Sequence, residues 1–135
     1  MAPPSPEAER YALQRQTFEK ALARLGEVLA RPEDDVVRDA LIQRFEFTFE
    51  MAWKSLFRFL ATKGERVAAK AWDVLPVAFS ARLIEDADVW ERMREYRNDM
   101  SHEYDEAKAV AVAAFVRDSA YPALKALQAE LARRG

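Results

Sequence analysis

Apolar residues recur every three or four positions along most of this chain, and nowhere do they alternate as a half-buried strand requires. Tyr11, Phe18, Leu22, Leu25 and Leu29 mark one face of a first helix, with Pro6 in its first turn and Arg31-Pro32 at its end. Asp34 or Asp35 can cap a second helix running from about Val36 to Thr62 and stopped before Gly64. Two adjacent stripes run along it. One is Leu41, Phe45, Thr48, Ala52, Leu56 and Phe59; the other is Ile42, Glu46, Phe49, Trp53, Phe57 and Leu60. A helix apolar over so wide an arc is expected at the centre of the molecule, touching several neighbours.

Asp73 is a candidate cap for a short helix over about 74–82, with Pro76 in its first turn and Val77, Phe79, Leu83 and Ile84 packed inward. Asp88 followed by Glu91 has the form of a capping box. It opens a helix whose face carries Trp90, Met93, Arg97, Met100 and Tyr104 and whose end falls around Ser101–Glu103. Asp105 can cap the last helix. Its stripe of Val110, Ala113, Val116, Ala120, Leu124, Leu127 and Leu131 stays in phase through Pro122, which predicts one kinked helix rather than a break. The expected fold is all-α, an antiparallel four-helix bundle with one short additional helix. Residues 1–6 read as a flexible tail and residues 7–135 as a single domain.

Composition adds mostly exclusions. Half of the 135 residues are hydrophobic and a third charged, enough for a core and unlike a disordered chain. A net charge of −2 announces no bulk basic field, so any contact with nucleic acid must come from a local patch. The absence of cysteine excludes disulfides, thiol catalysis and cysteine-ligated zinc, and a single histidine excludes a histidine-rich metal site within one chain. Neither a metal nor a cofactor is expected. The start Met1-Ala2-Pro3-Pro4-Ser5-Pro6 lacks the basic and apolar regions of a signal peptide, and no apolar run approaches the roughly 18–20 residues of a membrane span. A cytoplasmic location without a membrane partner is the expectation.

Candidate chemistry centres on Arg97-Asn98-Asp99-Met100-Ser101-His102-Glu103-Tyr104, which holds the only histidine. Arg97 lies within an apolar stripe, so its guanidinium must snorkel out, pair with a carboxylate or face a pocket. One reading is structural: Arg97 bonded to Glu46 or Glu50 at the core edge, His102 closing the helix, Tyr104 an amphipathic residue at the bundle end, and Glu50 with Lys54 a surface pair. The other is a site in which Glu46 orients Arg97 or His102. Residues five apart on an ideal helix diverge by about 140°. Arg97 and His102 therefore share a site only if the helix loosens near Ser101 or a second copy faces the first across a two-fold axis.

An arginine, a polar residue, three more residues and then histidine form the signature of the HEPN superfamily. The longer string Leu83-Ile84-Glu85-Asp86, Trp90, Met93, Arg97-Asn98, Ser101-His102, Tyr104 resembles the nucleotidyltransferase substrate-binding proteins, small helical partners of minimal nucleotidyltransferases. The block from Arg44 to Lys54 resembles the second helix of that family, and the likeness extends over about residues 10–130. Family members often carry glycine where this chain has Arg82, a departure that affects a turn.

The resemblance implies a metal-independent endoribonuclease whose site forms at a homodimer interface. His102 would be the general acid or base and Arg97 the phosphate-binding cation, while Asn98 would orient the phosphate or the histidine. The chemistry suits these residue types: imidazole titrates near neutrality, and a guanidinium presents forked donors to phosphate. The resemblance also implies a ribonuclease toxin restrained by a nucleotidyltransferase antitoxin that adenylylates Tyr104. A non-catalytic substrate- or nucleotide-binding subunit of the transferase stays open as the alternative, and so does a plain helical scaffold.

Overall fold

The computed structural model describes residues 3–100 and 105–135, with the side chains of Asp99 and Met100 outside that description. The described elements are α1 (Pro6–Leu29), α2 (Asp35–Thr62), the short α3 (Ala71–Ser80), α4 (Ala87–Met100), α5 (Glu106–Phe115), a π turn (Val116–Ala120) and α6 (Tyr121–Arg134). With α5, the π turn and α6 forming one rod, the fold is the expected bundle of four long helices and one short one.

The helix ends follow from local chemistry. Ser5 Oγ accepts the Ala8 N–H at 3.1 Å with Pro6 just inside, and Asp34 Oδ1 accepts the Val37 N–H at 2.8 Å. At the far end of α2, Gly64 has φ +80°, and the bonds Glu65 N–H to Leu60 O and Gly64 N–H to Ala61 O form a Schellman motif. The same two bonds recur after α3, from Leu83 to Ala78 and from Arg82 to Phe79. There the left-handed position is held by Arg82 at φ 61°, an arginine where only glycine is free of strain.

Two capping and two packing expectations need correction. α3 begins at Ala71, not near 74, with Lys70 at its cap position; Asp73 lies within the first turn and Pro76 in the second. Val74, Leu75 and Ala78 are the residues α3 buries, and that choice of face leaves Phe79 46% exposed. Asp86, not Asp88, caps α4. Its Oδ1 accepts the Val89 N–H at 3.2 Å, because the buried Trp90 begins the intrahelical bonding to the Asp86 carbonyl. Asp88 then falls in the first turn, where its charge still suits the helix dipole, and Glu91 pairs with Arg94 instead of closing a box. In the last rod Ala109 and Val112 face the core and Val110 is 46% exposed, since a pair of small residues can occupy the tight contact with α2.

Asp105 caps α5 as expected, its Oδ1 accepting the Lys108 N–H at 3.2 Å. Pro122 is accommodated by the π turn, in which the Tyr121 N–H reaches back five residues to the Val116 carbonyl. The rod therefore runs on, and Ala113, Val116, Ala120, Leu124, Leu127 and Leu131 are all buried.

α2 is central, as its two stripes require: every member is buried except Phe57 and Glu46, which are half-buried. Its hydroxyls are satisfied locally, Thr48 donating to the Arg44 carbonyl at 2.6 Å and Ser55 to the Met51 carbonyl at 2.9 Å. Phe49 packs on Trp90 with ring centroids 6.3 Å apart, joining α2 to α4, and Tyr96 packs on Phe115 at 5.0 Å, joining α4 to α5. These two contacts hold α4 on both sides just before Arg97. Among the described residues no helix is long and apolar enough to cross a membrane.

Candidate functional site

α2 places Glu46 and Glu50 one turn apart, and α4 brings Arg97 against them. Arg97 Nη2 lies 3.1 Å from Glu50 Oε2, so the arginine of the apolar stripe is held by a carboxylate. Glu50 is heavily used. Its Oε2 also accepts Trp53 Nε1 at 3.1 Å, and its Oε1 meets Lys54 Nζ at 3.4 Å. The indole and the ammonium fix the carboxylate, and the carboxylate fixes the guanidinium.

Glu46 sits beside this pair. Burial pushes its carboxyl above the ordinary glutamate value, and the nearby Arg97 charge only partly counters the rise. It is a half-buried acid in the field of Arg97, not the arginine's direct partner. Of the two candidates for that bond, Glu50 makes it. Arg97 Nε is buried without a hydrogen-bond partner among the described residues, while 38% of its side chain remains exposed. An arginine pinned through one terminal nitrogen and still partly exposed can receive an anion through its other terminal nitrogen.

Arg97 and Asn98 line a cleft of about 280 Å³ between α4, the central part of α2 and the segment entering α3. Asn98 is exposed at its edge. Glu50 and Trp53 form one wall, and Lys70, Trp72 and Arg94 come from elements the sequence reading had left without a role. Arg94 had a signal, since it lies three residues before Arg97 and hence on a neighbouring strip of the same helix. Lys70 and Trp72 had none, because only the folded chain carries the turn before α3 to this cleft. His102 and Tyr104 lie outside the described residues, so of the predicted site Arg97, Asn98 and Glu46 are seen together. Among the described residues no cluster of three or more histidine or carboxylate side chains is arranged to hold a metal ion.

A family model described as nucleotidyltransferase substrate binding protein like matches residues 13–133. The chain belongs to this family. The match contains both blocks on which the resemblance rested, the central helix and the Arg97–Tyr104 segment. A family relative from Haemophilus influenzae (strain ATCC 51907 / DSM 11121 / KW20 / Rd), named probable ribonuclease HepT, is 36% identical over 94 residues. The match covers 64% of each of the two chains, so this chain spans a little under two thirds of the length of that curated relative. A crystal structure of a Thermus thermophilus protein superposes with a TM-score of 0.71 at 35% identity, covering 86% of this chain and 97% of that one. The helical bundle seen here is thus shared with that solved structure.

Proposed function

We propose that this member of the family is a metal-independent endoribonuclease that acts as a homodimer and is neutralised by a separate minimal nucleotidyltransferase. The observation that carries the reading is Arg97, held by Glu50 within an otherwise apolar stripe and still partly exposed on a cleft. The name of the Haemophilus relative supports the same class of activity. Two copies of α4 related by a two-fold axis bring two arginines and two histidines to one groove, which supplies the acid–base pair that a chain with one histidine lacks.

In that groove one His102 takes the proton of an RNA 2′-hydroxyl as its oxygen attacks the adjacent phosphorus. The second His102, protonated, gives a proton to the departing 5′-oxygen, leaving a cyclic phosphate and a free 5′-hydroxyl. Arg97 binds the phosphate oxygens as charge gathers on them, and Asn98 orients the phosphate or the imidazole. Glu46 lies in the field of Arg97 without occupying its donors. Restraint follows from transfer of an adenylyl group from ATP to the Tyr104 phenol. Pyrophosphate leaves, the phenol gives up its proton, and the attached phosphate occupies the arginine-lined groove in place of RNA. The setting is the cytoplasm.

The family description favours a second reading, a subunit that binds substrate for the transferase without cleaving anything. Expression of the chain with and without the transferase, scoring growth and RNA integrity, separates the two. The ribonuclease reading expects toxicity from the chain alone, resistance of cleavage to EDTA, and loss of both toxicity and cleavage in His102→Ala. Unchanged toxicity in His102→Ala would sink it. Tyr104→Phe should stay folded, carry no adenylyl mass and escape neutralisation.

A further inference from the structure

Trp72 is 64% exposed, whereas Trp53 and Trp90 are 8% and 2% exposed. An indole left in water at the start of a short helix contributes little to the core, yet its position is not loose. The Arg94 guanidinium lies over the ring at 4.4 Å from its centroid, and Arg94 is itself held by Glu91, with Nε 3.0 Å from Oε1. One face of Trp72 is covered by a fixed cation, and with 64% of the residue exposed the other face is open to solvent. The ring lines the same cleft as Arg97 and Asn98. Lys70, Arg94 and Arg97 line this cleft with one carboxylate, Glu50, while Glu91 and Glu46 approach Arg94 and Arg97 from outside the lining, so the cleft wall itself presents more cations than anions.

We propose that Trp72, braced by Arg94, is a stacking platform for an unpaired nucleobase of single-stranded RNA, next to the phosphate bound by Arg97. The inference rests on the ribonuclease reading for its choice of RNA and adds where the substrate is gripped. Aromatic faces accept any base, and a neighbouring arginine and lysine track the backbone charge. Because Arg94 already holds the ring, little side-chain freedom is lost on binding. A cleft of about 280 Å³ has room for a base, and a base can lay its face on the Trp72 ring only when it is free of its stack in a duplex. The grip is therefore expected to require a single strand and to tolerate sequence.

The test uses the intact chain and a single-stranded, fully 2′-O-methylated RNA oligonucleotide of mixed sequence, which cannot be cleaved through a 2′-hydroxyl. Titration should quench tryptophan fluorescence in the wild-type chain but not in Trp72→Phe. Trp72→Ala should weaken binding about ten- to a hundredfold, Trp72→Phe less, and the same sequence as a duplex should bind weakly to all. On cleavable RNA, Trp72→Ala should raise KM with a smaller effect on kcat. If RNA is cleaved in an Arg97-dependent manner while Trp72→Ala leaves affinity, KM and quenching unchanged, the platform is wrong and the ribonuclease reading stands. If the chain cleaves nothing but the oligonucleotide still quenches Trp72, the ribonuclease reading fails and the platform stands. Loss of transferase capture by Trp72→Ala with RNA binding intact would overturn the proposal in favour of a protein contact.

Discussion

Two arginine–glutamate clusters in this molecule use the same ingredients to different ends. At the turn between α1 and α2, Glu33 accepts from Arg38 Nε at 3.0 Å and from Arg117 Nε at 3.1 Å, and Arg117 Nη1 also donates to the Leu29 carbonyl at 2.8 Å. Burial alone would raise the Glu33 carboxyl, but these two guanidiniums hold it below the ordinary glutamate range. At the α2–α4 contact, Glu46 lies near Arg97 without a direct bond and its carboxyl is raised by burial. Arg117 and Arg97 each keep one buried nitrogen without a partner among the described residues. In the first cluster the acid serves the fold by tying the last rod to the first turn. In the second, charge is held in reserve beside a cleft. Glu50 does hold Arg97, as Glu33 holds Arg117, but only the second cluster adds an acid, Glu46, whose oxygens are not committed to the arginine beside it.

The comparison predicts opposite outcomes for the two arginines. Arg97→Ala should reduce RNA cleavage by about a hundredfold or more, the usual cost of removing a donor that stabilises developing charge. Arg97→Lys should recover little, because an ammonium lacks the fork. Arg117→Ala should leave cleavage per folded molecule unchanged and cost about 1–2 kcal/mol of stability, a melting shift of several degrees. A cleavage defect in Arg117→Ala without a stability defect would break the distinction.

A smaller effect tests Arg82. Replacing it by glycine removes the side-chain clash at φ 61° and should stabilise the chain by about 1 kcal/mol in thermal or urea unfolding. Part of the gain can be offset if Arg134, which donates to the Ala81 and Arg82 carbonyls at 3.2 Å, settles differently.

The subtlest test compares pH profiles. Glu33, with its folded pKa lowered, contributes stability that is present above the ordinary glutamate pKa and lost as pH falls through the lowered value. Glu46, with its folded pKa raised, behaves the other way. Its contribution is full below the ordinary value and is lost as pH rises through the raised one. Melting temperatures measured from acid to neutral pH should show Glu33→Gln falling behind wild type, and Glu46→Gln gaining on it, as pH rises. Parallel profiles would mean that the two glutamates are equivalent after all.

Most of the bundle was legible because α2 declares itself: both of its apolar stripes are long, and all but two of their members are buried. Shorter elements were harder. The sequence points to Asp88 as the cap of α4, and the bond from the Val89 N–H to Asp86 moves the cap two residues earlier. The apolar pattern starts the stripe of α5 at Val110, and the structure buries Ala109 in its place while Val110 stays exposed. At the site, an arginine inside an apolar stripe was a visible anomaly. Glu46 and Glu50, one turn apart, were equivalent in sequence, and the preference for Glu50 comes from the indole and ammonium that fix it. Trp72 carried no sequence signal, since it meets Arg94 through tertiary packing of segments more than twenty residues apart.

The π turn at Val116–Ala120 also sets the phase of the rod. A π turn is an α-helix carrying one residue more than a regular turn, a length change absorbed locally. Elsewhere in the rod the same change would rotate everything downstream by about 100° and turn Leu124, Leu127 and Leu131 away from the core. Pro122 makes the change hard to undo. Trimming the turn back to a regular helix would drive its ring against the carbonyl four residues earlier. Removing the extra residue is therefore tolerated only if the proline is replaced as well.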